Sequence, residues 1–137
     1  MINPTATTLD IVAKSHINVL IQLAYADKHF VPAEREMIFR VGEKKNYSAD
    51  KVEFLLEHPE PIGTLGALSV NQKLDYLLDC IELVFIDERV VDSELKFCRG
   101  IAMKMGLRVS VIDFLIENRN DYNAPEFRER VIKEYFT

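Results

Sequence analysis

The 137-residue sequence predicts an all-α fold, a compact bundle of about seven helices. Apolar residues recur at helical spacing along nearly the whole chain. No stretch shows the alternation of β-branched and polar residues, bounded by turn residues, that is typical of a strand. Hydrophobic residues make up 48% of the sequence, enough for the core of one domain covering residues 1–137.

Three helices are predicted in the first half of the chain. Their expected bounds are 8–26, 32–45 and 49–57. Pro32 suits the first position of the second helix, because its fixed φ is already helical and its missing N–H has no partner there. Ser48 is a good N-cap for the short third helix. The connector 59–68 is rich in proline and glycine, which end helices.

Four more helices are predicted after the connector. Their expected bounds are 69–86, 92–105, 109–118 and 124–136. Ser69 begins the first of them, and Asn123 and Pro125 open the last. The last helix either closes the core or, if it does not, presents its apolar stripe as a partner-binding or homodimer surface. The residues of that surface are Phe127, Ile132, Tyr135 and Phe136.

An internal repeat is the most informative feature of the sequence. Shifting the chain by 60 residues aligns 17–58 with 77–118 without a gap. A shared helical register would match apolar positions, but here acidic positions match as well. We therefore predict two pseudo-repeated helical units, about 9–58 and 69–118, joined by the connector.

The acidic residues that recur in both units form a candidate metal site. In each unit a glutamate follows an aspartate after seven positions, with an apolar residue between them. These acids are Asp27, Glu34, Asp87 and Glu94. Additional candidate ligands in the same segments are Glu88, Asp92 and His29. Carboxylate oxygens suit a hard divalent cation such as calcium or magnesium.

The alternative interpretation of these acids is structural. Aspartates at turns between helices commonly accept hydrogen bonds from nearby backbone N–H groups. Glutamates in the first turn of a helix interact favourably with the helix dipole. In that case the acids cap helices, no metal binds, and the chain is a protein–protein interaction domain. The sequence leaves both interpretations open.

Composition and motifs exclude several classes of protein. A net charge of −5 argues against a nucleic-acid-binding protein, whose affinity requires a basic surface. The longest uncharged apolar stretch near the N-terminus is about half of the ~20 residues that a membrane-spanning helix needs. No Glu-x-x-His pair, phosphate-binding loop or catalytic Cys/His arrangement occurs. We therefore expect a non-catalytic protein that binds protein partners.

The two cysteines, Cys80 and Cys98, are predicted to be core residues. The repeat places them opposite Leu20 and Ile38, so each thiol takes the position of an aliphatic side chain. Their spacing is not that of a zinc or redox motif. We therefore expect reduced thiols and a cytoplasmic protein.

The acidic motif, in its all-helical context, resembles the TerB-like family, which includes tellurite-resistance proteins and the N-terminal domain of a membrane-anchored DnaJ-like co-chaperone. The residues that carry the resemblance are Leu23-Ala24-Tyr25-Ala26-Asp27, Phe30, Glu34, Asp87, Val90 and Glu94. Lys28 and Glu88 stand where the family usually has glycine. The resemblance implies a helical bundle that chelates metal through its acids and acts in stress-response or membrane-associated assemblies, without a family-wide catalytic activity.

Overall fold

A computed structural model of the chain shows an all-helical fold. The structure describes residues 4–26, 30–87 and 89–136, with side chains from residue 10 onward. Within these ranges there are seven α-helices, one 3₁₀ turn over Arg119–Asp121 and no strand. The helices are α1 (Pro4–Tyr25), α2 (Pro32–Lys44), α3 (Ala49–Glu57), α4 (Val70–Phe85), α5 (Asp92–Lys104), α6 (Ser110–Glu117) and α7 (Phe127–Tyr135). Over the same ranges, no helix is long and apolar enough to cross a membrane.

The predicted helix ends agree with the observed ends to within one residue, except at two starts. α1 begins at Pro4 rather than near residue 8, because proline is favoured at the first helical position. α7 begins at Phe127 rather than near residue 124, because the 3₁₀ turn and the turns after it occupy the preceding residues. The predicted Ser48 cap is confirmed, since its Oγ accepts the Lys51 N–H at 3.3 Å. Ser69, predicted to start the fourth helix, is its N-cap, and its Oγ accepts the Gln72 N–H at 3.1 Å.

The core lies between the two longest helices, α1 and α4. α2 and α3 pack on α1, and α5 and α6 pack on α4. Fully buried side chains of the central pair are Ile17, Leu20, Ile21, Leu23, Leu74, Leu77, Cys80 and Ile81. Cys80 and Cys98 are both free and buried, as the sequence predicts.

Corresponding helix ends have the same geometry in the two halves of the chain. α2 and α5 each contain 13 residues and start 60 positions apart. At the end of α2 the Tyr47 N–H donates to the Gly42 carbonyl at 2.9 Å, and at the end of α5 the Leu107 N–H donates to the Ala102 carbonyl at 3.0 Å. Asn46 and Gly106, which precede these donors, have φ of 57° and 82°, the left-handed conformation of a Schellman motif. These equivalences support the predicted duplication, which stays a prediction.

α7 covers the second half of the bundle. Phe127 is 2% exposed, and its ring centroid lies 4.9 Å from that of Tyr122 and 6.4 Å from that of Phe114 on α6. Arg128 Nη2 donates to Asp75 Oδ1 on α4 at 2.7 Å. The last helix therefore closes the core, and Phe127 is a core residue because its ring fills the space beside α6. The other residues of the predicted partner-binding stripe, half-buried against the same core, are Ile132, Tyr135 and Phe136.

The corresponding face of the first half stays exposed. Phe54, 60 positions before Phe114, is 63% exposed. Lys14 and Lys51 stand at the positions that correspond to two fully buried residues of the second half, Leu74 and Val111. The lysines pair with Glu60 and Asp10. The first half therefore presents charged pairs at positions where the second half has buried aliphatic side chains.

Gly42 permits a close approach between α2 and α3, and its replacement tests that packing. A Cβ at Gly42 would lie 2.9 Å from Val52 Cγ2 and 3.2 Å from the Tyr47 carbonyl oxygen. We expect Gly42→Ala to lower the free energy of unfolding by about 1–3 kcal/mol, because overpacking outweighs the helix propensity of alanine. Gly100 on α5 is the matched control, since nothing lies within 4 Å of its added Cβ. Gly100→Ala is expected to raise stability by about 1 kcal/mol. Urea unfolding measures both changes, and equal effects would contradict the close approach.

Truncation of Phe127 tests whether α7 completes the core. We expect Phe127→Ala to lower the free energy of unfolding by about 3–5 kcal/mol, the range for a large buried aromatic side chain. Phe54→Ala provides the control at an exposed position, with an expected change within about 0.5 kcal/mol. A Phe127→Ala protein that unfolds at the urea concentration of the parent would show that α7 adds nothing to the core.

Candidate functional site

The structure describes four of the seven predicted acidic-site residues. Glu34 lies in the first turn of α2, Asp87 follows α4, and Asp92 and Glu94 lie in the first turn of α5. The other three predicted ligands lie outside the described residues. These are Asp27, His29 and Glu88.

Glu34 is a buried carboxylate that supports the start of α2. Its side chain is 2% exposed, and its Oε1 accepts the backbone N–H of Val31 at 3.0 Å. Val31 is the N-cap residue and has no polar side chain with which to bond the helix start. Glu34 thus provides the glutamate half of a capping box, which satisfies a backbone donor that the helix itself leaves without an acceptor.

Glu94 has the same position at the start of α5. It is also buried, and its N–H donates to the Val91 carbonyl at 3.1 Å, as the N–H of Glu34 donates to the Val31 carbonyl at 3.1 Å. Glutamate is rarely buried unless its carboxylate is paired. Two buried glutamates at corresponding helix starts therefore mark a structural requirement of both halves.

The two described aspartates interact locally, Asp87 half-buried and Asp92 exposed. Asp87 Oδ1 accepts the Arg89 N–H at 3.0 Å, the hydrogen bond of an Asx turn. Asp92 is exposed at the first position of α5, where the helix dipole favours a negative charge. Each aspartate therefore has a conformational role beside any role as a ligand.

The described carboxylates do not gather into a metal centre. Within residues 4–26, 30–87 and 89–136, no three His, Cys, Asp or Glu side chains are grouped so that they could hold a metal ion. Calcium takes about six to eight oxygen ligands, and magnesium needs near-octahedral geometry. The predicted calcium or magnesium site therefore depends on Asp27, His29 and Glu88, and it stays a prediction.

A wide groove along α2 is a second candidate site. The α2 groove has a volume of about 1180 Å³. Its lining residues are Pro32, Ala33, Arg35, Glu36, Phe39, Arg40, Glu43, Asn46, Tyr47, Ser48, Ala49 and Ile86. The Arg35 guanidinium lies 5.0 Å from the centroid of the Phe39 ring, and its Nη2 donates to both carboxylate oxygens of Glu53 at 2.7 Å. The groove thus combines an aromatic ring, an arginine held over it and a surrounding set of charged side chains.

Sequence reasoning missed the α2 groove, although one signal pointed to it. Met37, Ile38 and Val41 form the buried stripe of α2, and Phe39 lies outside that stripe. A large apolar side chain on the polar side of an amphipathic helix indicates a surface with a role beyond the core. Ile86 gave no comparable signal, because its approach to α2 depends on the packing of α4.

Comparison with known proteins provides no family for this chain. No family model, no curated protein and no solved structure matches it. The resemblance to the TerB-like family therefore stays a prediction that rests on the acidic motif, and the function is argued from the α2 groove and the buried glutamates.

Proposed function

We propose that this protein is a non-catalytic module that binds a protein partner in the α2 groove. The volume of that groove, about 1180 Å³, carries the proposal. This volume is near the upper end of the roughly 300–1,000 Å³ of small-molecule pockets, but the site lies open along a helix rather than enclosed. A groove of this kind suits a peptide segment or a helix of another protein.

The chemistry of the α2 groove also favours a protein partner. Aromatic residues and arginine are enriched at the centres of protein interfaces, and charged residues are common at their rims. In the α2 groove, Phe39 is the aromatic residue and Arg35 the arginine, and Glu36 and Arg40 are charged residues beside them. Arg35 is already oriented by Glu53, so its position over the aromatic ring costs less entropy on binding.

The buried glutamates serve the fold in this proposal. Glu34 holds the Val31 N–H at the point where α2 begins, next to Pro32 and Ala33, which line the groove. Its carboxylate therefore fixes the wall of the binding site without contacting the partner. Glu94 lies buried at the corresponding position in the first turn of α5.

Cation binding, with a role in a tellurite- or stress-related response, is a second candidate function. It is favoured by the recurrence of the acidic motif and by the burial of both glutamates. In this proposal a divalent cation fixes the two acidic segments relative to each other and so presents a face to a protein partner. The residues that would hold it are Asp27, Glu34, Asp87 and Glu94.

Calorimetric titration of metal-stripped protein with calcium, magnesium and manganese separates the two candidates. We expect no saturable heat with any of the three ions. We also expect Glu34→Ala to lower the free energy of unfolding by about 1–3 kcal/mol without metal, because the partly buried Val31 N–H loses its acceptor. The exposed Glu36 on the same helix is the control, and Glu36→Ala is expected to change stability by less than about 0.5 kcal/mol. Micromolar binding that disappears in an Asp27→Asn/Asp87→Asn double variant, with a melting temperature that rises with metal, would instead establish the cation site.

A charge placed in the α2 groove tests partner binding. Phe39→Asp is expected to weaken the capture of a cellular protein partner more than tenfold, because it puts a carboxylate into the apolar part of the groove. Met103→Asp on α5 is the matched control at an exposed position outside the groove. Quantitative mass spectrometry of cross-linked partners provides the measurement, with thermal melts to confirm that both variants are folded. A partner that Phe39→Asp retains at the level of the parent would exclude the α2 groove as its binding site.

A further inference from the structure

His16 is a buried titratable group that the proposed function does not use. It lies on the inner side of α1 and is 1% exposed. Its ring centroid is 4.3 Å from that of Tyr76 on α4, and its Nε2 lies 2.8 Å from Asp79 Oδ2, also on α4. The hydroxyl of Tyr76 donates to the Val12 carbonyl at 3.0 Å, so the same pair of helices is joined twice at this level.

The ring has little capacity for a second proton in this site. His16 Nε2 faces the Asp79 carboxylate at 2.8 Å, whereas Nδ1 has no hydrogen-bond partner among the described residues. A neutral imidazole has one N–H donor, whereas a protonated imidazole has two. Protonation would thus place an additional buried donor where no acceptor is aligned with it, which is unfavourable.

The charges around the His16 ring do not reverse its preference for the neutral state. Burial lowers the pKa of His16 below its ordinary value, and this effect outweighs the opposing influence of Asp79. Lys45, at the end of α2, lowers the pKa further, and Asp75 on α4 raises it. These three charged residues line a cavity of about 180 Å³. The carboxylate of Asp79 is partly exposed and so keeps part of its hydration.

We propose that His16, Tyr76 and Asp79 form an acid-sensitive latch between α1 and α4, which is closed while the imidazole is neutral and opens when the imidazole takes up a proton. Opening admits water to the second N–H and allows the imidazolium to face Asp79 through solvent. The latch lies in the central helix pair, so its opening loosens the support of α2 and α5 as well. Its trigger, a proton, is independent of the α2 groove and of any metal.

The direction of the pH dependence follows from linkage. An accessible histidine titrates near pH 6.5, and the buried His16 has a lower pKa. Open states therefore bind a proton that the closed state excludes. Stability is complete above about pH 6.5, falls as the pH decreases below that value and levels off once the pKa of the closed state is reached. Within this window the equilibrium constant for opening rises by up to about tenfold per pH unit.

Amide hydrogen exchange and proton NMR of the full chain test the latch. We expect amides of α1 and α4 to lose up to about tenfold protection at pH 5.5 relative to pH 7.5, after correction for the intrinsic exchange rate. His16→Phe keeps the ring packing on Tyr76 and removes the titrating group, and it is expected to abolish this loss. His58→Gln, at an exposed histidine, is the control and should behave as the parent does.

The titration of the His16 ring in the parent protein gives a readout that does not require a folded variant. We expect its midpoint below about 6.5, the ordinary value for histidine, and we expect Asp79→Asn to lower it further, because the carboxylate favours the protonated ring. An equal loss of protection in the His16→Phe variant, or a His16 midpoint at or above about 6.5, would overturn the proposal.

Discussion

The burial of α1 against α4 is the constraint on which the rest of this structure depends. Isolated helices shorter than about 12–15 residues are marginal in water, and α3, α6 and α7 have nine, eight and nine residues. Such helices form because the long central pair offers them an apolar surface. The arrangement also constrains polar groups between α1 and α4, because their hydrogen-bond partners must come from the facing helix. The Tyr76 hydroxyl on α4, for example, donates to the Val12 carbonyl on α1.

The sequence predicted the fold well because its signals are local. Ser48 and Ser69 cap helices through their own side chains, and the glycines and prolines of the connector act on the adjacent backbone. The two errors occurred at helix starts. An apolar stripe alone does not define where a helix begins, and α7 starts late because a 3₁₀ turn and further turns precede it.

The candidate site was predicted less completely than the fold. The repeat drew attention to Glu34 and Glu94 as metal ligands or helix caps, but it did not predict that both carboxylates are buried. Burial depends on how neighbouring helices pack, and the spacing of the acids in the sequence does not predict it. The sequence did not predict the contact between His16 and Asp79 for the same reason, because the two residues are 63 positions apart and meet only when α1 packs on α4. The α2 groove likewise combines residues of separate helices.

Phe114 is covered by α7, whereas Phe54 at the corresponding position is exposed. This difference determines whether further units of the same kind could be added to the fold. Arrays of stacked helical units need an apolar surface at each junction and a terminating element at each end. In the second half α7 occupies that surface, and in the first half Lys14 and Lys51 replace the buried aliphatic residues that a junction would require. The alkyl parts of lysine side chains can shield apolar surface while their ammonium groups stay hydrated. One face is thus covered by α7, and the other carries charged pairs around the exposed ring of Phe54, so a third unit of the same kind would have to bury those charges in order to stack.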